Sequence, residues 1–158
     1  MNTKNEKYYN SNSIETQLIH GDFFQEYKKI ETGSIDLLLT DPPYNIFSDI
    51  HSWDTSIDLV ELETIFSQLL KPTCQVIIFC DLNLMVKLMG SFNNRLKFKH
   101  YHIWKKPGGM PVSLNRPIND SEFILVFKQA GVKEKELTFN PEAMGEKGDP
   151  YIKRNYSQ

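Results

Sequence analysis

The sequence is poor in the residues that announce a cofactor or an oxidising compartment. Its eight glycines stand at 21, 33, 90, 108, 109, 131, 145 and 148. None of them gives a strand-Phe-x-Gly-x-Gly-helix turn, the device that lets a backbone approach a nucleotide-like cofactor. Gly145-Glu146-Lys147-Gly148 follows no strand and reads as tail. Cysteine is almost absent: Cys74 and Cys80 are six residues apart on one strand face, and ~3.3 Å per residue separates them by about 20 Å, too far for a disulfide. There is no CxxC and no metal spacing, so both read as buried thiols. No apolar run approaches the ~20 residues of a membrane span, and Met1-Asn2-Thr3-Lys4-Asn5-Glu6 lacks the apolar core of a signal peptide. The expectation is a cytoplasmic protein with no membrane partner.

What is present suffices for one core: 158 residues, 40% hydrophobic and 12% aromatic. The net charge of −2 argues neither for nor against nucleic acid. Its distribution is more informative. Residues 1–94 carry 6 Lys/Arg against 13 Asp/Glu, residues 95–133 carry 8 against 2, and residues 134–158 carry 4 against 5. The basic block is either a solvated face or a phosphate-contacting surface.

Residues 1–12 are polar without periodicity and read as a flexible arm. Thr16 to His20 reads as a short strand broken by Gly21-Asp22. Phe23, Phe24, Tyr27 and Ile30 then recur at helical spacing up to Thr32-Gly33. Ile35 to Thr40 is a buried strand. Asn45 to Ser56, with His51, Trp53 and Asp54, is an irregular loop: Trp53 reads either as its anchor on the core or as part of a loop that gates a ligand beside the strand end. Leu62, Ile65, Phe66, Leu69 and Leu70 make the stripe of a helix over 57–71, capped by Asp54 or Ser56 and stopped by Pro72. Cys74 to Cys80 is a second central strand, and Leu82 to Phe92 a further helix. This strand–helix alternation is that of a parallel sheet. Phe98 to Trp104 and Glu122 to Phe127 have no helix between them and are expected to be antiparallel. His100 and His102 share a strand face, but with no third ligand in the pattern no metal is expected.

The chemistry centres on Asp41-Pro42-Pro43-Tyr44, which ends the strand Ile35-Asp36-Leu37-Leu38-Leu39-Thr40. Proline lacks an N–H for the ladder and fixes φ, so the pair drives the chain off the sheet into a rigid loop. Ligands of open α/β sheets bind at such carboxyl ends. A carboxylate beside a proline carbonyl offers two acceptors in a stiff frame, which suits an amine donating two hydrogen bonds, and an aromatic ring can stack on the flat body carrying it. Asp41-Pro42-Pro43-Tyr44 after an apolar strand resembles the amino-methyltransferase motif of S-adenosylmethionine-dependent DNA methyltransferases. Trp104-Lys105-Lys106-Pro107, followed by Asn119-Asp120-Ser121-Glu122-Phe123-Ile124-Leu125-Val126-Phe127, resembles the motif VIII region of the same family. The resemblance covers about residues 16–131 and is closest to the permuted group in which this motif comes first.

That resemblance implies an α/β fold, an incomplete class I methyltransferase (Rossmann-like) sheet, mostly parallel with a terminal antiparallel strand pair. It implies a partial catalytic domain over 13–131 and a tail over 132–158. Asp41, Pro42, Pro43 and Tyr44 become catalytic, with adenine N6 favoured over cytosine N4 because Asp begins the motif. Asp41 and Asp22 lie near S-adenosylmethionine; as a plain reading Asp22 caps the helix that follows it. The 105–117 segment, with three prolines and two glycines, is either a surface loop or, through Lys105, Lys106, Asn115 and Arg116, a clamp on the DNA backbone. Its place at a strand end favours the clamp.

An exocyclic amine is a poor nucleophile because its lone pair is conjugated into the ring. Hydrogen bonds to Asp41 and the Pro42 carbonyl would favour the tetrahedral nitrogen that accepts a methyl group in line, without metal or covalent intermediate. The base must be flipped from the duplex, and Tyr44 would replace its lost stacking. The resemblance also exposes a deficit, since the glycine turn and target-recognition region come later in this group than residue 158. The expectation is one of three chains: half of a split enzyme whose second chain brings the cofactor half, a remnant binding DNA or a methylase without catalysis, or a shortened form. In each the motif strand keeps an open apolar edge, a template for a second chain or a second copy.

Overall fold

The structure, a computed structural model, describes residues 7–11, 14–45, 56–108 and 119–138. Strands β1 (Lys7–Ser11) and β2 (Ile14–Leu18) form an antiparallel hairpin, separate from the main sheet. Helix α1 (Phe23–Glu26) passes into a 3-10 turn, Tyr27–Lys29, and β3 (Ile35–Thr40) follows. Then come α2 (Leu59–Leu69), β4 (Leu70–Cys80), α3 (Leu82–Ser91), β5 (Leu96–Lys105) and β6 (Ser121–Gln129). Among the described residues no helix is long and apolar enough to cross a membrane.

The four-stranded sheet has the order β3-β4-β6-β5. β3 and β4 pair in parallel, whereas β6 is antiparallel to both β4 and β5. The expected mostly parallel sheet is corrected by that pairing. Three of the four strands point the same way, but the reversed β6 lies between two of them and turns both of its ladders antiparallel. β2, expected as a strand of this alternation, is drawn instead to β1 inside the expected arm, with Lys7 opposite Leu18 and Ser11 opposite Ile14. The expected antiparallel pairing of the last two strands is observed.

Local chemistry sets the element ends. Asp58, rather than Asp54 or Ser56, caps α2 by accepting from the N–H groups of Val60 (2.9 Å) and Glu61 (3.0 Å). Asp81 caps α3 through the Leu84 N–H at 2.8 Å. β4 starts earlier than expected and contains Pro72, which lies where the β3–β4 register shifts between Ile35 and Leu37 and the ladder asks no donor of it.

Residues opposite one another in a ladder share a face, so register sorts the sheet into two sides. On one side Val76, Ile78 and Cys80 of β4 and Leu125 and Phe127 of β6 meet Leu62 and Phe66 of α2 and Leu84 and Leu88 of α3. Each such side chain contributes roughly 1.5–3 kcal/mol by leaving water. Both cysteines are buried and free, as expected. On the other side Leu37 and Leu39, opposite Gln75 and Ile77, remain 54% and 60% exposed. Among the described residues β3 is an edge strand with the expected open apolar edge, and the expected burial of Ile35–Thr40 is corrected: with a neighbour on one side only, its side chains are exposed or half-buried. The first residues of the expected tail fold back: Thr138 N–H donates to the Thr73 carbonyl at 3.0 Å, and Leu137 is buried.

One polar group is committed to this core. Glu63, 1% exposed, accepts the backbone N–H groups of Asn94 (3.0 Å), Arg95 (2.9 Å) and Leu96 (3.0 Å) on a single carboxylate oxygen. It ties α2 to the turn that launches β5. Glu63→Ala leaves these donors without that acceptor and is expected to cost about 3 kcal/mol in urea unfolding, with Glu63→Gln, which keeps a carbonyl oxygen, costing less.

Candidate active site

β3 delivers Asp41 to its carboxyl end. Pro42 is buried there, Pro43 and Tyr44 are half-buried, and Asn45 turns the chain through a left-handed φ of 59° that asparagine tolerates. Asp41 itself is exposed. The Tyr44 hydroxyl donates to Asp41 Oδ1 at 2.7 Å, and the Tyr44 ring packs against the hydrophobic core. A carboxylate has two oxygens and about four lone-pair sites, so this bond leaves acceptor capacity on Asp41.

Asp41 opens on a cleft of about 950 Å³ between β3, the start of α1 and the N-terminal half of α2. That lies within the usual ~300–1,000 Å³ range of small-molecule sites. Gly21 and Asp22 line the opposite wall, so the two residues expected near the cofactor share one cavity. Asp22 also caps α1, accepting the Phe24 N–H at 3.0 Å, so the plain reading of it holds. The Phe23 ring meets Phe66 edge-on at 5.8 Å, which fixes α1 against α2 and sets the width of the cleft. A Cβ at Gly21 would stand 2.6 Å from Glu26 Cγ, so a side chain there would have to displace the Glu26 side chain. Tyr44 does not line this cleft.

Three carboxylates gather where β3 and β4 end and β6 begins. Together with burial, which is the larger cause, Asp81, Glu122 and Asp41 push the Cys80 thiol up to about 12. Asp81 is occupied as the α3 cap, and Glu122 is ion-paired with Lys106. Asp41 accepts from a neutral phenol. Burial first, then the hydrogen bond and charge of Asp41, hold the Tyr44 phenol far above its ordinary range, so it stays a donor.

The expected DNA-contacting set is only partly described. Lys105 pairs with Asp120 at 3.8 Å across the strand ends, an exposed contact that screening keeps weak. Lys106 is more committed, since besides Glu122 it stands over the Trp104 ring, 5.3 Å from its centroid. Trp104 is 46% exposed and meets Phe79 edge-on. Asn115 and Arg116, like His51, Trp53 and Asp54, lie outside the described residues. The Tyr44–Asp41 bond and the Lys106–Glu122 pair were missed from sequence. The first had a signal in its three-residue spacing across two prolines; the second depends on strand register. Among the described residues no group of three or more His, Cys, Asp or Glu is placed to hold a metal.

The DNA methylase family model matches residues 35–158, from the start of β3 onward. The chain belongs to that family. Among solved structures, M1.HpyAVI in complex with SAM is similar with a TM-score of 0.54 and 24% identity, over 73% of this chain and 55% of that one. A second crystal structure of M1.HpyAVI gives 0.53 and 23%, over 77% and 61%. TTHA0409 from Thermus thermophilus, assigned as a DNA modification methylase and complexed with S-adenosyl-L-methionine, gives 0.50 and 19%, over 71% and 52%. These identities establish a shared fold. The chain spans between half and two thirds of the length of these structures. No curated protein matches it by sequence.

For this member of the DNA methylase family the Asp41–Tyr44 contact yields a direct test. Asp41→Asn removes a charge and should bring the Tyr44 phenol down toward the ordinary ~10, read from phenolate absorbance in an alkaline titration. Folding raises this pKa, so its contribution to stability is complete below the unfolded value of ~10 and is lost as pH climbs through the folded value. In Asp41→Asn that alkaline loss should shrink.

Proposed function

We propose that this chain is the target-amine half of a site-specific DNA methyltransferase, acting on adenine N6 with S-adenosylmethionine as methyl donor. The observation that carries the reading is an exposed carboxylate, Asp41, held by prolines at a strand's carboxyl end and opening on a cleft shared with Asp22. Asp41 and the Pro42 carbonyl would accept the two amine protons of a flipped base and hold the nitrogen in tetrahedral geometry. The Tyr44 hydroxyl orients the Asp41 carboxylate before the base enters; stacking of the ring on the base would break that bond and take the ring out of the core.

The charge of the cleft supports this cofactor. Its described lining holds Asp22, Asp41, Asp58 and Glu61 and no Lys, Arg or His. Such a wall attracts a sulfonium and an ammonium group and repels a polyphosphate. When bound, S-adenosylmethionine supplies the methyl group. The glycine-rich turn for its carboxyl-bearing end comes from a further segment, in a second chain docked along the β3 edge or elsewhere. DNA is held by Lys105 and by Asn115 and Arg116, while the Lys106 ammonium is paired with Glu122.

A second reading is a remnant that binds DNA or a methylase without catalysis. One experiment separates the two. The chain is mixed with the glycine-turn segment of a DNA methylase, and transfer of tritiated methyl to duplex DNA is followed. Transfer on mixing supports the split enzyme, and DNA binding without transfer supports the remnant. In an active mixture Asp41→Ala should cut turnover on the order of 10²–10³-fold with DNA binding kept, and surviving turnover sinks the role given to the carboxylate. The chain alone should bind S-adenosylmethionine weakly; micromolar affinity in calorimetry would contradict the need for a further segment. Leu37→Lys on the β3 edge should suppress complementation while leaving the chain's own unfolding midpoint close to wild type.

A further inference from the structure

β5 carries a feature that the methyl-transfer chemistry does not use. A bulge at Lys99 interrupts its pairing with β6 between Phe98 and His100. Phe98, opposite Phe127, packs with the helix-side core, its ring 6.0 Å from that of Phe127. Beyond the bulge the alternation is re-set, so His100, opposite Val126, and His102, opposite Ile124, point to the other side of the sheet. There the two Nε2 atoms stand 3.2 Å apart, with the rings perpendicular.

We propose that His100 and His102 form a two-histidine chelate for a divalent first-row transition ion, Cu²⁺ before Zn²⁺ or Ni²⁺. With metal–nitrogen bonds of about 2.0–2.1 Å, a separation of 3.2 Å subtends roughly 100° at the ion, between the square-planar and tetrahedral angles. Imidazole is the ligand type these ions share, and copper heads their affinity order. The backbone is fixed by ladder pairing on both sides of the bulge, so the pair is pre-organised on a strand rather than a loop. Water fills the remaining positions. The charges facing the pair come from Lys99, on the same strand, and from Glu134, beyond β6. Glu134 stands 4.0 Å from Lys99 and 3.6 Å from Lys128 and offsets their repulsion of a cation.

The test titrates the full chain with Cu²⁺ by calorimetry and reads directly bonded nitrogen from the electron paramagnetic resonance spectrum. One equivalent should bind with two imidazole nitrogens. His100→Gln and His102→Gln should each weaken binding at least about tenfold, while His20→Gln titrates as wild type. Independently of any variant, Zn²⁺ should protect His100 and His102 of the wild-type chain from ethoxyformylation, read by mass spectrometry. No uptake, uptake unchanged in either variant, or no protection would show instead that the two rings share an N–H···N hydrogen bond and no metal site.

Discussion

Everything at the candidate site depends on how β3 is stopped. A strand continues while each residue can donate to the ladder, and at Pro42 and Pro43 the donors vanish and φ is fixed. The chain therefore leaves the sheet at one defined point with Asp41 at its lip. Three residues on, the Tyr44 hydroxyl returns to the same carboxylate. That bond closes a small rigid ring of backbone and side chain around the prolines, with the ring's aromatic part anchored in the core. The acid is thus exposed and oriented at once, a combination that a free surface aspartate lacks.

The neighbouring carboxylates make sense against that constraint. Gathering acids at a strand end is costly unless each has a distinct partner. Asp81 directs its charge to the α3 N-terminus and Glu122 to Lys106. Asp41 alone of the three meets a neutral donor in the described contacts. The basic block of the sequence is partly neutralised within the fold, since Lys105 and Lys106 answer Asp120 and Glu122 across the β5–β6 pair. A segment count of charge could not reveal this, because those partners are neighbours only once the two strands are in register.

Legibility followed the range of the interactions. α2, α3 and β5 were readable because each carries its own periodicity, β3 and β6 were readable as strands from their apolar runs though the exposure of β3 was not, and both cysteines are buried as their strand pattern required. The strand Lys7–Ser11 was not, since its polar sequence has no apolar alternation and its partner is chosen by pairing. The parallel character of the sheet was overestimated for a related reason. Strand direction can be inferred from intervening helices, but which strands become neighbours cannot, and β6 inserts between two that run alike. At the site, the Asp41 and Asp22 walls of one cleft were foreseeable from the motif and the strand end. The inward packing of Tyr44 was not, because it depends on the hydroxyl contact. The bulge at Lys99, which sends Phe98 and His100 to opposite faces, left no mark in an otherwise regular alternation.

The edge of the sheet and the cleft are one feature seen from two sides. Leu39 is the exposed side chain that marks the bare face of β3, and it is also a wall of the cavity in front of Asp41. Any strand added along β3 therefore covers apolar surface and completes the cavity in the same step. Edge pairing satisfies the unpaired ladder groups of β3 and buries Leu37 and Leu39, whereas a small ligand alone does neither. On the proposed reading, the free energy that assembles the two halves comes mainly from the edge, and cofactor affinity is gained as a consequence of assembly rather than being its cause. This ordering follows from the exposure of Leu37 and Leu39 on β3.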